Sequence, residues 1–332
     1  MSIKKSSRNT QSIVITGAAG FIGSCLVAKL NSIGETNLIL VDEKSKSNHP
    51  NLQGKKYKNY IDRAFFINWF EANYKDIKYV FHIGARTDTT LLDENVFIDL
   101  NINYSKAIWN ACTFYQIPLI YASSAATYGN GSETYSDDHA IISKLKPLNP
   151  YGWSKHKFDL WVLEQERCPP QWYGFKFFNV FGPNEYHKAR MASVVYHGYN
   201  QINETKKIKL FASNDPLIKD GEQKRDFIYV KELIQVLIYF YDNQFENGIY
   251  NLGTGTANTF NQLAKYIFTA MNLKSKIEYI PLPEDISKAY QNFTEADMQK
   301  LIQNSQYKFQ YNFESAIQDY IVNYLDNNSK LF

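Results

Sequence analysis

Ser12-Ile13-Val14-Ile15-Thr16-Gly17-Ala18-Ala19-Gly20-Phe21-Ile22-Gly23 is the stretch from which the fold of the chain can be read. A short apolar run ends in a Gly-x-x-Gly-x-x-Gly turn, and Phe21 to Leu30 then reads as a helix. Strand, glycine turn and helix N-terminus together make a pyrophosphate site. Gly17 permits the tight turn, Gly20 lets backbone approach the phosphates, and Gly23 allows close helix–strand packing. Leu38-Ile39-Leu40-Val41 is a second strand of the buried type. It ends in Asp42, near the spacing of a ribose-binding acid, a role weighed against that of a turn or cap residue. Glu43, Lys44 and Lys46 follow. Acids there resist a 2'-phosphate and lysines would meet it, so charge alone leaves NAD against NADP open.

The same alternation continues outward. Tyr79-Val80-Phe81-His82 is a strand running into Ile83-Gly84-Ala85, small residues that let a nicotinamide ribose lie close to backbone. His82 reads as structural. Pro118 to Ser124 is the next strand, and Ser124 emerges at its C-terminal end, the edge where open parallel sheets bind ligands. A capping role suits Ser123 better than Ser124. Tyr151-Gly152-Trp153-Ser154-Lys155 opens a helix, with Tyr151 and Lys155 four apart on one face. An ammonium beside a phenol favours phenolate, and such a pair could take a proton from a substrate alcohol near neutral pH. Taken alone, the spacing fits a solvated surface pair more readily. Trp172 to Val180 is a further strand, leading to Asn179-Val180-Phe181-Gly182-Pro183, after which the alternation loosens. Lys224 to Val230 and Gly248 to Gly253 read as strands that return to the first domain, and 214–221 as a surface loop.

The fold expected is α/β, a Rossmann-type doubly wound parallel sheet with a smaller mixed α/β substrate domain. Residues 1–178 form the dinucleotide-binding domain, with segments near 224–253 returning to it, and 179–332 are mainly substrate-binding. A chain of 332 residues can bury a core of that size. Its net charge of +3, from scattered residues, gives no reason to expect nucleic acid or a membrane as partner. Cys25, Cys112 and Cys168 lack metal-ligand spacing, so no metal and a reducing compartment are expected. Met1 to Gln11 is polar without an apolar core, which speaks against a signal peptide, and no apolar run approaches membrane-spanning length. The expectation is a cytoplasmic protein.

The order glycine loop, then Tyr121-Ala122-Ser123-Ser124-Ala125-Ala126-Thr127-Tyr128-Gly129, then Tyr-x-x-x-Lys resembles the extended short-chain dehydrogenase/reductase family over nearly the whole chain. Ala125 and Ala126 stand where dehydratases of that family carry an Asp-Glu pair, which disfavours elimination and leaves epimerisation or oxidation. Four stretches resemble the ADP-glyceromanno-heptose 6-epimerases in particular: the Tyr121–Gly129 run, Gly182-Pro183-Asn184-Glu185-Tyr186-His187-Lys188, Met191-Ala192-Ser193-Val194-Val195-Tyr196-His197, and Tyr290-Gln291-Asn292-Phe293-Thr294-Glu295-Ala296-Asp297.

That resemblance implies tightly held NADP, with NAD as the other candidate, and inversion at C6 of an ADP-heptose, an inner-core precursor of lipopolysaccharide. It implies Tyr151 and Lys188 as acid/base residues, with Ser124 and Lys155 supporting Tyr151. Cofactor contacts would come from Gly17, Gly20, Phe21, Ile22, Gly23, Asp42, Glu43, Arg63, Ile83, Gly84, Ala85, Asn101, Lys155, Val180 and Lys188. The nucleotide sugar would meet Ser124, Asn179, Arg190, His197, Phe211, Ser213, Arg225 and Tyr290. Arg225 suits a diphosphate because a guanidinium engages phosphate oxygens in bidentate fashion; the plain alternative is a salt bridge to Asp226. A homo-oligomer is implied, with a pentamer as the candidate form. Arg190, Lys176 and Leu100 depart from the usual residues of the family, and 214–223 is longer than usual. Two other readings compete: an epimerase or reductase acting elsewhere on a nucleotide sugar, such as C4 of a hexose, and a non-catalytic dinucleotide sensor. Lys188 speaks against the first, and the intact Ser124, Tyr151 and Lys155 against the second.

Overall fold

The computed structural model describes residues 11–89, 91, 93–283, 290–327 and 331–332. The Met1–Gln11 stretch, apart from Gln11, lies outside the described residues. Twelve strands are present among them: β1 (Ser12–Thr16), β2 (Leu38–Asp42), β3 (Asn59–Asp62), β4 (Ile77–His82), β5 (Leu119–Ser124), β6 (Trp172–Phe177), β7 (Asn179–Phe181), β8 (Ile208–Phe211), β9 (Lys224–Tyr229), β10 (Gly248–Leu252), β11 (Ala257–Thr259) and β12 (Ile277–Ile280). Seven of them form one parallel sheet in the order β10-β6-β5-β4-β1-β2-β3. This is the doubly wound arrangement expected.

Alternation of side chains along each strand builds two cores. Ile13, Ile15, Leu40 and Phe81 pack on one face, while Val14, Ile39, Val41 and Val80 pack on the other. Both faces are covered, so these strands are continuous apolar runs rather than alternating ones. Each aliphatic side chain so buried contributes about 1.5–3 kcal/mol. After β3 the chain crosses back to place β4 beside β1, so the winding direction reverses between them. Ligands of open α/β sheets bind at such a switch point, beyond the C-terminal strand ends.

Two strand expectations need correction. Trp172 to Val180 is not one strand: β6 stops at Phe177, and β7 belongs to a three-stranded sheet ordered β11-β9-β7. Phe178 still donates its N–H to Leu252 O at 3.1 Å, but Asn179 turns its side chain to Asp226 O at 2.9 Å. An unbroken run of apolar residues cannot reveal a change of sheet. Likewise Gly248–Leu252 pairs with β6 in the large sheet, whereas Lys224–Tyr229 joins the small sheet. A third sheet pairs β12 with β8 in parallel. Among the described residues, no helix is long and apolar enough to cross a membrane.

Candidate active site

The glycine loop sits at the switch point, packed against the loop after β4. A Cβ on Gly17, whose φ is +67°, would lie 2.5 Å from Gly84 Cα; one on Gly23 would lie 2.1 Å from Gly17 O. No side chain fits at either place. Gly20 caps the Phe21–Ser32 helix without a side-chain hydrogen bond, and the first turn carries no acid, leaving its N–H groups and positive end for an anion. A cavity of about 540 Å³ opens in front of this turn. Its walls include Gly17, Gly20, Phe21, Ile22 and Gly23, then Asp42, Glu43, Lys46 and Arg63, and Ile83 to Asp88. These residues fit a dinucleotide: a backbone cradle for two phosphates, an acid at the end of β2 and a small-residue loop after β4.

Asp42 does more than wait for a ribose. Its Oδ2 accepts from Ala19 N at 3.2 Å and its Oδ1 from Glu43 N at 2.9 Å, so it also braces the glycine loop. Lys46 reaches Asp42 at 3.4 Å and Glu43 at 3.6 Å, and Arg63 pairs with Glu43 at 2.7 Å. His82 is locked between Thr16 Oγ1 at 2.7 Å and Ser105 Oγ at 2.8 Å. Burial, helped by the charge of Lys155, lowers its pKa to about 3 and keeps it neutral.

Ser124, Tyr151 and Lys155 lie farther along the same sheet edge. The Pro150–Leu163 helix is started by Asn149, whose side chain accepts from Gly152 N at 2.8 Å, with Pro150 in the first turn. Asn101, fully buried, ties this helix to the cavity wall. It donates to Ser154 Oγ at 2.9 Å and holds both backbone groups of Arg86, at 2.8 and 2.9 Å. The capping expectation is reversed: Ser124 accepts from Ala126 N at 3.1 Å and caps the turn after β5, while Ser123 donates to Asp159 at 2.7 Å.

The expectation of a lysine-induced phenolate is also corrected. Burial raises the pKa of Tyr151, with the Ser124 hydrogen bond acting the other way. Lys155 Nζ donates to Ala122 O at 2.9 Å, and burial lowers its pKa to about 8 against the pull of Asp159. The resting phenol is therefore protonated.

Lys188 stands in the wall of the dinucleotide cavity, its ammonium 5.5 Å over the Phe21 ring. Burial lowers its pKa, and Glu185 opposes this. Glu185 shapes the loop by accepting from Gly182 N, Ser193 N and Ser193 Oγ at 3.1, 2.6 and 2.7 Å. Two residues that the sequence reading missed hold this loop on the glycine turn. Asn51 donates to Ala19 O at 3.2 Å and Asn184 O at 3.0 Å, while Asn184 donates to Ser24 Oγ at 3.0 Å and accepts from Phe332 N at 2.9 Å. Nothing local marks Asn51, although the φ of +75° at Asn184 suits asparagine in Gly-Pro-Asn.

The remaining residues lie around β7 to β9. Arg225 is buried, and the salt bridge to Asp226 is absent. Asp226 instead accepts from Thr254 N, Gly255 N and Ala296 N at 2.8, 2.9 and 3.1 Å. The guanidinium donates to Lys224 O at 2.9 Å and to Gln291 O, and lies 5.2 Å over the Tyr290 ring and 5.7 Å over Phe260. Phe211 meets Tyr290 edge-on at 6.4 Å. Asn179 also reaches Thr294 Oγ1 at 3.3 Å, and Val180 is paired in β7 with Ile228, away from the cavity wall. Ser213 is tied into its own loop by Asp215 O at 2.9 Å and Asp220 at 2.8 Å. His197 lies on the Val194–Thr205 helix, half-buried, and Arg190 is exposed. Among the described residues no cluster of metal-ligating side chains occurs.

Comparison with known proteins agrees with this geometry. The sequence profile of the NAD dependent epimerase/dehydratase family matches residues 13–253. An ADP-L-glycero-D-manno-heptose-6-epimerase of Fusobacterium nucleatum is 42% identical, covering 94% of this chain and 98% of its own length. One from Nitratidesulfovibrio vulgaris is 43% identical, over 87% of this chain and 90% of its own length. The crystal structure of the Helicobacter pylori ADP-L-glycero-D-manno-heptose-6-epimerase superposes with a TM-score of 0.79 at 28% identity, covering 97% of this chain and 98% of that one.

Proposed function

Since this chain belongs to the NAD dependent epimerase/dehydratase family and, within it, to the ADP-L-glycero-D-manno-heptose-6-epimerases, we propose that it interconverts the C6 epimers of ADP-glycero-D-manno-heptose with bound NADP. The observation that carries the reading is the Ser124–Tyr151–Lys155 group at the C-terminal edge of the same parallel sheet that carries the glycine cradle. Bound at that cradle, the dinucleotide supplies a reversible hydride acceptor for C6. Lys46 and Arg63, at the Asp42 end of the cavity, favour NADP because both can leave Glu43 for a 2'-phosphate.

The residues of this chain then handle the proton and the grip. Ser124 hydrogen-bonds the C6 oxygen and Tyr151 exchanges its proton. Burial holds the Tyr151 phenol protonated, the form that can give a proton to the C6 oxygen, and the Lys155 ammonium on the same helix stabilises the phenolate left behind. The epimer whose C6 hydroxyl faces Lys188 loses that proton to the Lys188 amine; once the C6 carbonyl has turned about C5–C6, its oxygen faces Tyr151, which protonates it, and the reverse reaction exchanges the two roles. Burial favours the neutral amine of Lys188, the form a base needs. Arg225, stacked on Tyr290, holds the diphosphate with Asn179 and His197 beside the sugar. The same reading makes the protein a cytoplasmic homo-oligomer that serves lipopolysaccharide inner-core synthesis.

Incubation with ADP-D-glycero-D-manno-heptose, followed by analysis of the sugar, should show inversion at C6 with no cofactor added and NADP released on denaturation. Tyr151→Phe and Lys188→Met should each lower turnover by about a hundredfold. Unchanged C6 configuration would overturn the reading; a Lys188→Met enzyme with full turnover and weakened binding would make Lys188 a phosphate ligand.

A further inference from the structure

Behind Ser124 and Tyr151 lies an ion pair sealed from solvent. Lys176, the last residue but one of β6, and Asp159, one helical turn beyond Lys155, are both 0% exposed, with Nζ 2.7 Å from Oδ2. Each has further partners. Lys176 Nζ donates to Thr127 Oγ1 at 2.7 Å and lies 5.2 Å over the Tyr128 ring. Asp159 accepts from Ser123 Oγ at 2.7 Å and from Tyr121 OH at 3.2 Å.

The three hydroxyls so gathered belong to residues on both sides of Ser124: Tyr121 and Ser123 in β5, and Thr127 in the turn that Ser124 caps. The carboxylate that takes the first two sits on the helix of Tyr151 and Lys155, and the Lys176 ammonium takes the third. A buried ion pair is poor evidence of a stabilising role, because hydrocarbon side chains of similar volume stabilise as well or better. Hydrocarbons cannot, however, hold three hydroxyls on one ion pair.

We propose that Lys176 and Asp159 are positioning residues, a buried brace that sets the Ser124 turn against the helix carrying Tyr151 and Lys155. The brace rests on the proposed role of those three residues. It also has an electrostatic side. Lys155 is faced by Tyr151 and Asp159 from its own helix, by His82 from β4 and by the Ala122 carbonyl from β5; Lys176 from β6 faces Asp159. His82 is neutral, so Asp159 is the counter-charge that holds the Lys155 ammonium against burial. Loss of the Asp159 carboxylate lowers the Lys155 pKa further, and the alkaline fall in turnover then moves to lower pH.

The test uses full-length enzyme with its bound dinucleotide, and turnover is normalised to dinucleotide content. Lys176→Met should lower kcat about ten- to hundredfold with KM nearly unchanged, and Lys176→Arg, which keeps the charge and the donors, should restore most of it. Asp159→Asn should move the alkaline limb of the kcat profile downward. Because either single change can unfold the protein, the double variant Lys176→Met/Asp159→Leu is decisive: it removes both charges together, and should fold yet turn over as slowly as Lys176→Met. A double variant with wild-type kcat and an unmoved alkaline limb overturns the brace while an inactive Tyr151→Phe leaves the site assignment standing. A fully active Tyr151→Phe overturns both.

Discussion

On the proposed reading, the glycine cradle and the Arg225 pocket each hold a diphosphate, and they are built from opposite materials. The cradle is backbone: three glycines, free N–H groups and a helix end, all within Gly17 to Gly23 and closed by Gly84. The Arg225 pocket is side chain: a guanidinium from β9 laid between Tyr290 and Phe260, with Phe211 beyond, gathered from segments far apart in the chain. A backbone site demands glycine and therefore leaves a mark in sequence. A side-chain site tolerates many local sequences, because only the final packing brings its members together. The difference also predicts separable failures.

The largest effect should come from the cradle. Gly23→Val drives a side chain into Gly17 O, 2.1 Å from an ideal Cβ. Dinucleotide retention should weaken on the order of a hundredfold, measured as NADP recovered per mole of purified protein. Recovery at the wild-type level would break the comparison. Arg225→Ala should raise KM for the nucleotide sugar by about thirtyfold while leaving dinucleotide content intact. Loss of dinucleotide along with substrate affinity would mean that the two regions are not separable.

A smaller effect sharpens the cofactor assignment. The Arg63–Glu43 pair is partly exposed, so it contributes no more than about 1 kcal/mol, and Arg63→Ala should hardly change Tm. If Arg63 meets a 2'-phosphate, the same variant should lose about tenfold in NADP over NAD preference, read by reconstitution of emptied protein. The smallest effect is on stability. Lys155 is 3% exposed, and its pKa falls from 10.5 to about 8 on folding. Its folded pKa lies below its unfolded one, so between those values the unfolded chain binds more protons, and folding gains stability as pH rises. Wild-type protein should therefore gain on Lys155→Met across that window in denaturant titrations. A difference that stays constant with pH would show that folding does not lower the Lys155 pKa.

The elements legible in the sequence share one property: they are local. β1 runs over Ser12–Thr16 and the following helix starts at Phe21, both as read, because an apolar run and a glycine turn leave few alternatives. β2 ends on Asp42 for the same reason. The sheet break after Phe177 was not legible, since Phe178 and Val180 continue the apolar run while the hydrogen-bond partners change from β10 to β9. The cap fell to Ser124 and not to Ser123 because neighbouring residues on a strand point to opposite faces, and only the position of Asp159 shows which serine it meets.

Sequence alone determined that this chain has a doubly wound sheet, a phosphate-binding turn at its first strand, and a tyrosine and lysine one helical turn apart. Each follows from rules that act within a few residues: the period of burial, the steric freedom of glycine and the pitch of a helix. Tertiary structure alone decided the protonation of Tyr151, the brace between Lys176 and Asp159, the carbonyl and ring partners of Arg225, and the clasp of Asn51 and Asn184 on the loop of Lys188. These depend on how much water is excluded around a charge and on which distant side chain arrives to satisfy it. Electrostatic energy in a buried site is set by such neighbours in space, and the order of residues along the chain does not contain them until the chain has folded.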